Sequence, residues 1–217
     1  MSWSKDKSGR RGYHHGNLKD ALIEAALELI ASKGPTGFTF AEAARSAGVS
    51  PAAPYRHFRD RDELMVDVAR RGFERFEAAL AEAWNGGRPD PLAALDRLGK
   101  AYLRFARSEP AYYAAMFESG LPLEANPELL QHGERAFAIL RQASEALCAE
   151  LPAANRPPAM MMALHIWAFS HGVAALFGRG DAGRRKLPMP PEDLLEAGML
   201  VYLQGLGLGA KSGASRA

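Results

Sequence analysis

The stretch VSPAAPYRHF, residues 49–58, decides how the N-terminal part of this chain folds. Ser50 is a residue type that caps helix N-termini, and Pro51 occupies the first helical position, where its missing N–H group removes no hydrogen bond. Pro54 falls near the end of the first turn and removes about one helical bond, which is tolerable there. The pattern predicts a short, stiff helix over residues 50–57.

A capping box precedes this stretch. Thr39 is the predicted N-cap, and Glu42, three residues later, is expected to accept a hydrogen bond from the Thr39 backbone N–H. The helix that they open should end at Gly48. Residues 39–57 therefore predict a helix, a tight glycine turn and a short helix, which together form a helix-turn-helix.

The face of the short helix suits the DNA major groove. Ala52 and Ala53 carry small side chains, so the backbone can approach the bases, and Phe58 is expected to fill the core behind the helix. The segment ends with three residues whose donors are predicted to reach phosphate oxygens: Tyr55, Arg56 and His57. The bare face and the donors together indicate a DNA-binding segment.

The stretch GFTFAEAARSAGVSPAAPYRHFRDRDEL, residues 37–64, resembles the DNA-binding domain of TetR-type transcriptional regulators. The positions in the register of that family are Thr39, Ala43, Ala44, Gly48, Val49, Ser50, Tyr55, His57, Phe58 and Leu64. The resemblance covers residues 15–65. It implies an obligate dimer with one recognition helix from each subunit in successive major grooves, and an effector-binding C-terminal domain that changes their spacing.

Two positions depart from the family pattern. Arg61 stands where a phosphate-contacting lysine is usual, and Pro54 replaces a hydroxyl or apolar residue. Few side chains are left to read base edges, so sequence choice should depend on alanine–thymine methyl contacts, on Thr39 and Arg45, and on DNA shape. The predicted DNA-binding residues are Thr39, Arg45, Ser50, Pro51, Ala52, Ala53, Tyr55, Arg56, His57 and Arg61.

The spacing of apolar, Pro and Gly residues predicts an all-α fold. It comprises a flexible basic arm (1–16), a three-helix helix-turn-helix domain (17–62), a larger helical bundle for effector binding and dimerisation (63–207) and a disordered tail (208–217). Asn17 is the predicted N-cap of the first helix. After the helix from about residue 60 to 84, helices are predicted at 91–107, 110–118, 127–150, 157–178 and 191–207.

Two stripes of mostly small residues predict the dimer interface. Leu164, Ala168, Gly172 and Ala175 form one, and Leu194, Gly198, Val201 and Gly205 form the other. Helices with such stripes cross closely, so two of them from each subunit could pair as a four-helix interface. Tight packing within one subunit is the alternative. The Trp167-x-x-x-His171-Gly172 pattern also resembles the WHG variety of TetR-type C-terminal domains, whose ligands are mostly undefined.

Large apolar and amphipathic side chains on neighbouring helices are candidates for the lining of a ligand pocket. They are Tyr102, Phe105, Tyr112, Tyr113, Met116, Phe117, Phe137, Met161, His165 and Trp167. The alternative is that most of them belong to the core. His165 and His171 are six residues apart, on opposite sides of a helix, so they cannot share a metal ion, and each is expected to be satisfied by other partners.

Composition favours a cytoplasmic, non-enzymatic protein. The single cysteine excludes an internal disulfide, and the net charge of +2 is biased towards residues 1–75, which hold 13 Lys and Arg against 10 Asp and Glu. No apolar stretch of about 20 residues is expected to span a membrane. No phosphate loop, metal-ligand spacing or nucleophile–base pair stands out, so no cofactor, metal or catalytic residue is predicted.

The predicted function is a dimeric DNA-binding regulator, most simply a repressor that an unknown small-molecule effector releases from its double-stranded DNA operator. The rival hypothesis is a helical protein-interaction module with a degenerate helix-turn-helix. Salt-dependent DNA binding distinguishes the two, because only the regulator displaces counterions from phosphates.

Overall fold

The computed structural model describes residues 18–178 and 188–208, and within these ranges the chain is helical with no strand. Eight α-helices follow one another in these ranges: α1 Leu18–Lys33, α2 Phe40–Ser46, α3 Arg61–Trp84, α4 Pro91–Ser108, α5 Pro110–Phe117, α6 Pro127–Glu150, α7 Ala159–Phe177 and α8 Pro191–Gly205. The all-α prediction is confirmed, and the predicted helix ends agree within two residues from α4 onwards.

The first two helices, the segment 50–58 and the start of α3 form an N-terminal head. α1 buries five apolar side chains: Leu22, Ile23, Ala25, Ala26 and Ile30. The predicted N-cap Asn17 and the basic arm lie outside the described residues. α3 runs straight through the expected domain boundary at 62–63, so the head and the C-terminal bundle share one helix.

α3 is the central helix of the molecule, since it packs against α1, α4, α5 and α6. Its crossing with α5 is close at Gly72, where an added Cβ would lie 2.7 Å from the Met116 sulfur. α3 ends at Asn85, whose φ of 46° places it in the left-handed region. Asp90 then caps α4 by accepting a hydrogen bond from the Ala93 N–H at 2.9 Å.

The last two helices leave an apolar surface uncovered in the single chain. Leu164, Phe169 and Leu176 of α7 and Leu200 and Val201 of α8 are all more than 40% exposed. By length and composition alone α7 is also the one helix among the described residues long and apolar enough to cross a membrane, a test that core helices of soluble proteins pass as well. Exposed apolar patches of this kind usually mark interaction sites.

Leu208, the first residue of the predicted disordered tail, is part of the fold. Leu208 is buried, and its N–H donates to the Leu203 carbonyl at 2.9 Å, so it belongs to the end of the bundle. The remainder of that tail lies outside the described residues.

Candidate DNA interface and ligand cavity

α2 starts with the predicted capping box. Thr39 Oγ1 accepts from the Glu42 N–H at 3.2 Å, and Glu42 Oε2 accepts from the Thr39 N–H at 2.8 Å. Lys33 Nζ lies 2.6 Å from the same carboxylate, and its hydrogen bond is the main cause that lowers the pKa of Glu42 to about 2. Glu42 is therefore ionised at neutral pH, and the start of α2 is fixed against the end of α1.

The segment after α2 is more tightly wound than the short α-helix that the sequence predicted. Residues 51–53 form a turn and Pro54–Arg56 form a single 3₁₀ turn. Pro54 has no N–H to donate to the Ser50 carbonyl, which instead accepts from the Ala53 N–H at 3.0 Å. The expected α-helix over 50–57 is therefore wrong in type, although the segment still turns helically.

This segment, called the reading segment below (residues 50–57), presents most of its predicted contact residues to solvent. Ser50, Pro51, Ala52, Tyr55, Arg56 and His57 are exposed and Ala53 is half-buried, while Thr39 and Arg45 are exposed on α2. Tyr55 is 64% exposed, and the edge of its ring packs against Phe40 with centroids 5.1 Å apart. Of the predicted contact residues in this segment and on α2, all but Ala53 are therefore exposed.

The side chain of Arg61 is bound within the head, whereas the prediction had it free to contact phosphate. Its Nε donates to the Phe38 carbonyl at 2.9 Å, Nη2 donates to the Pro35 carbonyl, and the guanidinium stacks 4.7 Å from the centre of the Phe38 ring. Because these contacts turn the side chain inward, Arg61 ties α3 to the loop between α1 and α2.

Phe58 supports the reading segment from behind, as predicted. It is 3% exposed and belongs to the same apolar core as Leu22, Leu64 and Val68. The Lys19 ammonium lies 5.5 Å from the centre of its ring. The reading segment is therefore anchored at its end to both α1 and α3.

The C-terminal bundle contains a cavity of about 680 Å³ between α3, α6, α7 and the loop after α5. Its wall is mostly apolar and consists of Phe73, Phe76, Met116, Phe117, Ser119, Gly120, Leu121, Leu123, Leu130, Gly133, Glu134, Ala136, Phe137, Ala138, Leu140, Arg141, Met160, Leu164 and Trp167. This volume and lining are typical of small-molecule sites.

Four of the ten predicted ligand residues line this cavity: Met116, Phe117, Phe137 and Trp167. The other six do not line it. Tyr102, Phe105, Tyr112 and Tyr113 are buried in the core, whereas Met161 and His165 lie on the exposed side of α7. Sequence reasoning missed Phe73 and Phe76, although their spacing of three along α3 places them on one helix face.

The predicted core tyrosines form a polar cluster behind the wall. The hydroxyls of Tyr113 and Tyr102 lie 2.8 Å and 3.1 Å from Nδ1 of His171. Burial lowers the pKa of His171 and raises that of Tyr113 to about 12, so at neutral pH an uncharged imidazole lies beside a protonated phenol. His165 Nδ1 lies 3.1 Å from the Tyr202 hydroxyl, so both histidines have partners within the chain, as expected.

An exposed reading segment on a small helical head, joined to a helical bundle with an apolar cavity, defines a one-component helix-turn-helix regulator. Residues 22–68 match the family "Bacterial regulatory proteins, tetR family", and residues 95–202 match "Tetracyclin repressor-like, C-terminal domain". Together these matches cover more than half of the chain. The chain belongs to the TetR family, whose members are transcriptional regulators.

Individual relatives agree with this assignment. The HTH-type transcriptional regulator BetI of Rhizobium meliloti is 29% identical over 133 residues, 60% of this chain and 66% of that protein. YobS of Bacillus subtilis, an HTH-type transcriptional regulator, is 26% identical over 46% of this chain and 51% of its own length. The chain thus spans less than two thirds of the curated relatives it matches.

Solved structures share the fold over nearly the whole chain. A protein of unknown function from Rhodococcus sp. RHA1 is 30% identical, with a TM-score of 0.73 over 90% of this chain and 98% of that one. The TetR family regulator PfmR of Thermus thermophilus is 20% identical, with a TM-score of 0.66 over 84% of this chain and 97% of that one.

Proposed function

We propose that this chain is a cytoplasmic, sequence-specific repressor that a small apolar effector releases from its DNA operator. The observation that carries the proposal is the single helix α3, which begins in the head beside the reading segment and contributes Phe73 and Phe76 to the cavity wall. A ligand in the cavity therefore contacts the helix that holds the head.

The reading segment would enter the major groove with Ala52 against the bases. Arg56 and His57, both exposed at its end, would donate to phosphates, and Tyr55 would add a hydroxyl. Such contacts fix orientation and contribute affinity without sequence choice. Thr39 and Arg45 flank the segment on α2 and would supply the polar readout.

The proposed partner that covers α7 and α8 is a second copy of this chain. Ala168, Gly172 and Ala175 of the predicted stripe on α7 are exposed, and an added Cβ at Gly172 or Gly205 would meet no described atom within 4 Å apart from its neighbours and its own helix backbone. Open small-residue positions allow a partner helix to approach closely. A two-fold dimer through this surface would present two reading segments to one DNA duplex.

Effector binding would act through α3. A ligand between α3 and α6 would swing α3, change the spacing of the two heads and lower operator affinity. A coupling of about 1–3 kcal/mol, typical of allosteric proteins, would change occupancy substantially.

Substitution of the reading segment tests the DNA proposal. Arg56→Ala is expected to lower the salt dependence of binding by about one unit of slope, and His57→Ala to weaken binding about fivefold for all sequences alike. Fluorescence anisotropy with DNA from upstream of its own gene and a scrambled duplex measures both. Arg104→Ala, an exposed change on α4, is the control. A wild-type protein whose DNA binding ignores salt would favour the protein-interaction module.

The cavity proposal is tested with the apolar dye N-phenyl-1-naphthylamine. The wild-type protein should bind the dye and enhance its fluorescence, and Ala138→Trp, which places an indole in the cavity wall, should weaken binding about tenfold or more, equivalent to about 1.4 kcal/mol. Ala78→Trp on the exposed side of α3 is the matched control. Equal dye binding by both variants would show that the dye sits elsewhere.

A further inference from the structure

A cluster of charged side chains joins the head to the bundle beside the cavity. Its members are Lys19 and Asp20 on α1, Asp67, Arg70, Arg71 and Glu74 on α3, and Glu128 and His132 on α6. We call it the Asp67 cluster. It spans three helices, of which α1 belongs to the head and α6 lines the cavity.

Asp67 is the centre of the cluster. Its Oδ1 accepts from Lys19 Nζ at 3.1 Å and from Arg70 Nη2 at 3.0 Å, and only 11% of its side chain is exposed. Burial by itself would raise the pKa of Asp67, but the hydrogen bonds from Arg70 and Lys19 outweigh it and hold the pKa below its ordinary value. Asp67 is therefore a buried carboxylate that is charged at neutral pH.

The two neighbouring arginines connect Asp67 to two different helices. Arg71 pairs with Asp20 on α1, and its Nε lies 3.4 Å from Asp67 Oδ2. Arg70 pairs with Glu74 at 2.5 Å and approaches Glu128 on α6 at 4.0 Å. The carboxylate thus links an ion pair on the head side to one on the bundle side.

The bundle side of the cluster is the loosely held one. The Arg70–Glu128 distance is 4.0 Å and the Glu74–His132 distance is 3.7 Å, both longer than the pairs that involve α1. His132 Nδ1 on α6 is buried without a hydrogen-bond partner among the described residues. Since unsatisfied buried polar atoms cost free energy, another arrangement of the cluster can compete with this one.

The cluster and the cavity wall alternate along the same two helices. Phe73 of the wall precedes Glu74, and Gly133 of the wall follows His132. The Phe73 ring lies 3.6 Å from where a Gly133 Cβ would be, so α3 and α6 approach closely beside the cavity wall. A ligand that separates the two helices moves the backbones of Glu128 and His132 on α6 away from those of Arg70 and Glu74 on α3.

We infer that Asp67 is a positioning residue that transmits cavity occupancy to the head: when α6 moves away from α3, Arg70 shifts, and the hold of Asp67 and Arg71 on α1 changes. This inference rests on the proposed function, because it takes the cavity as the effector site. The coupling between the cavity and the head is thereby assigned to the Asp67 carboxylate and its partners on α1.

Hydrogen exchange of the full chain with N-phenyl-1-naphthylamine tests the inference. In the wild type, saturating dye should accelerate amide exchange in residues 18–33 about fivefold or more, which is the lower end of typical coupling between sites. In Asp67→Asn the dye should bind within about twofold of wild-type affinity, while the acceleration falls below about twofold. Asp67→Glu, which keeps the charge, should restore most of it.

Asp96→Asn is the matched control, because Asp96 pairs with Lys100 at 2.8 Å on α4 and touches neither α1 nor the cavity. It should respond as the wild type does. Acceleration in Asp67→Asn equal to wild type, or none in the wild type despite bound dye, overturns the inference and leaves the cavity proposal standing. Failure of the wild type to bind the dye overturns both.

Discussion

Gly172→Arg is expected to convert the proposed dimer into a folded monomer that no longer binds operator DNA tightly. Gly172 lies on the exposed face of α7, and apart from its neighbours and the backbone of its own helix no described atom lies within 4 Å of a Cβ placed there. The arginine therefore has room in the monomer, and it favours the helix more than glycine does by somewhat less than about 1 kcal/mol. In the dimer the same side chain would bury an unpaired charge against a partner helix.

Sedimentation velocity measures the association, and anisotropy measures the DNA affinity. Loss of the second head should reduce operator affinity about 100-fold or more, because bivalent binding multiplies affinity by effective concentration. Ala78→Arg adds the same charge to an exposed position of α3 and should remain dimeric. A Gly172→Arg protein that still sediments as a dimer would place the interface elsewhere.

Local patterns in the sequence predicted most of the helices because their signals act over a few residues. The capping box at Thr39 and Glu42 and the proline at the start of α4 are examples. The reading segment was predicted less well. An α-helix requires the Ser50 carbonyl to accept from the N–H of residue 54, whereas a tighter turn requires it to accept from the N–H of residue 53. Pro54 removes one of these donors, and the chain winds into a 3₁₀ turn instead.

Contacts between distant residues could not be predicted in the same way. Arg61 donates to the Phe38 carbonyl 23 residues earlier, and nothing in its neighbours in sequence distinguishes this arrangement from a free side chain. The lining of the cavity also depends on contacts between residues that are distant in sequence. Phe137 lines it and Phe105 does not, because the packing of α3, α4 and α6 decides which aromatic side chains meet the open space.

Two aromatic residues three positions apart have opposite expected roles, which a pair of substitutions can separate. Phe58→Ala is expected to lower the free energy of unfolding by about 3–5 kcal/mol, the usual cost of removing a buried phenyl ring. Tyr55→Ala should lower it by only about 1 kcal/mol, because the ring is 64% exposed and loses mainly its edge contact with Phe40. Its larger effect should be on DNA affinity.

Urea denaturation gives the two stabilities, and hydrogen exchange over residues 18–58 shows whether the loss is confined to the head. Phe58→Ala should accelerate exchange throughout α1 and α2, whose apolar side chains share a core with Phe58, while α8 stays protected. Since α3 continues into the bundle, the bundle can remain folded when the head loosens. If Tyr55→Ala destabilises the head as much as Phe58→Ala does, Tyr55 is a core residue of the head. It would then no longer count among the proposed DNA contacts of the reading segment.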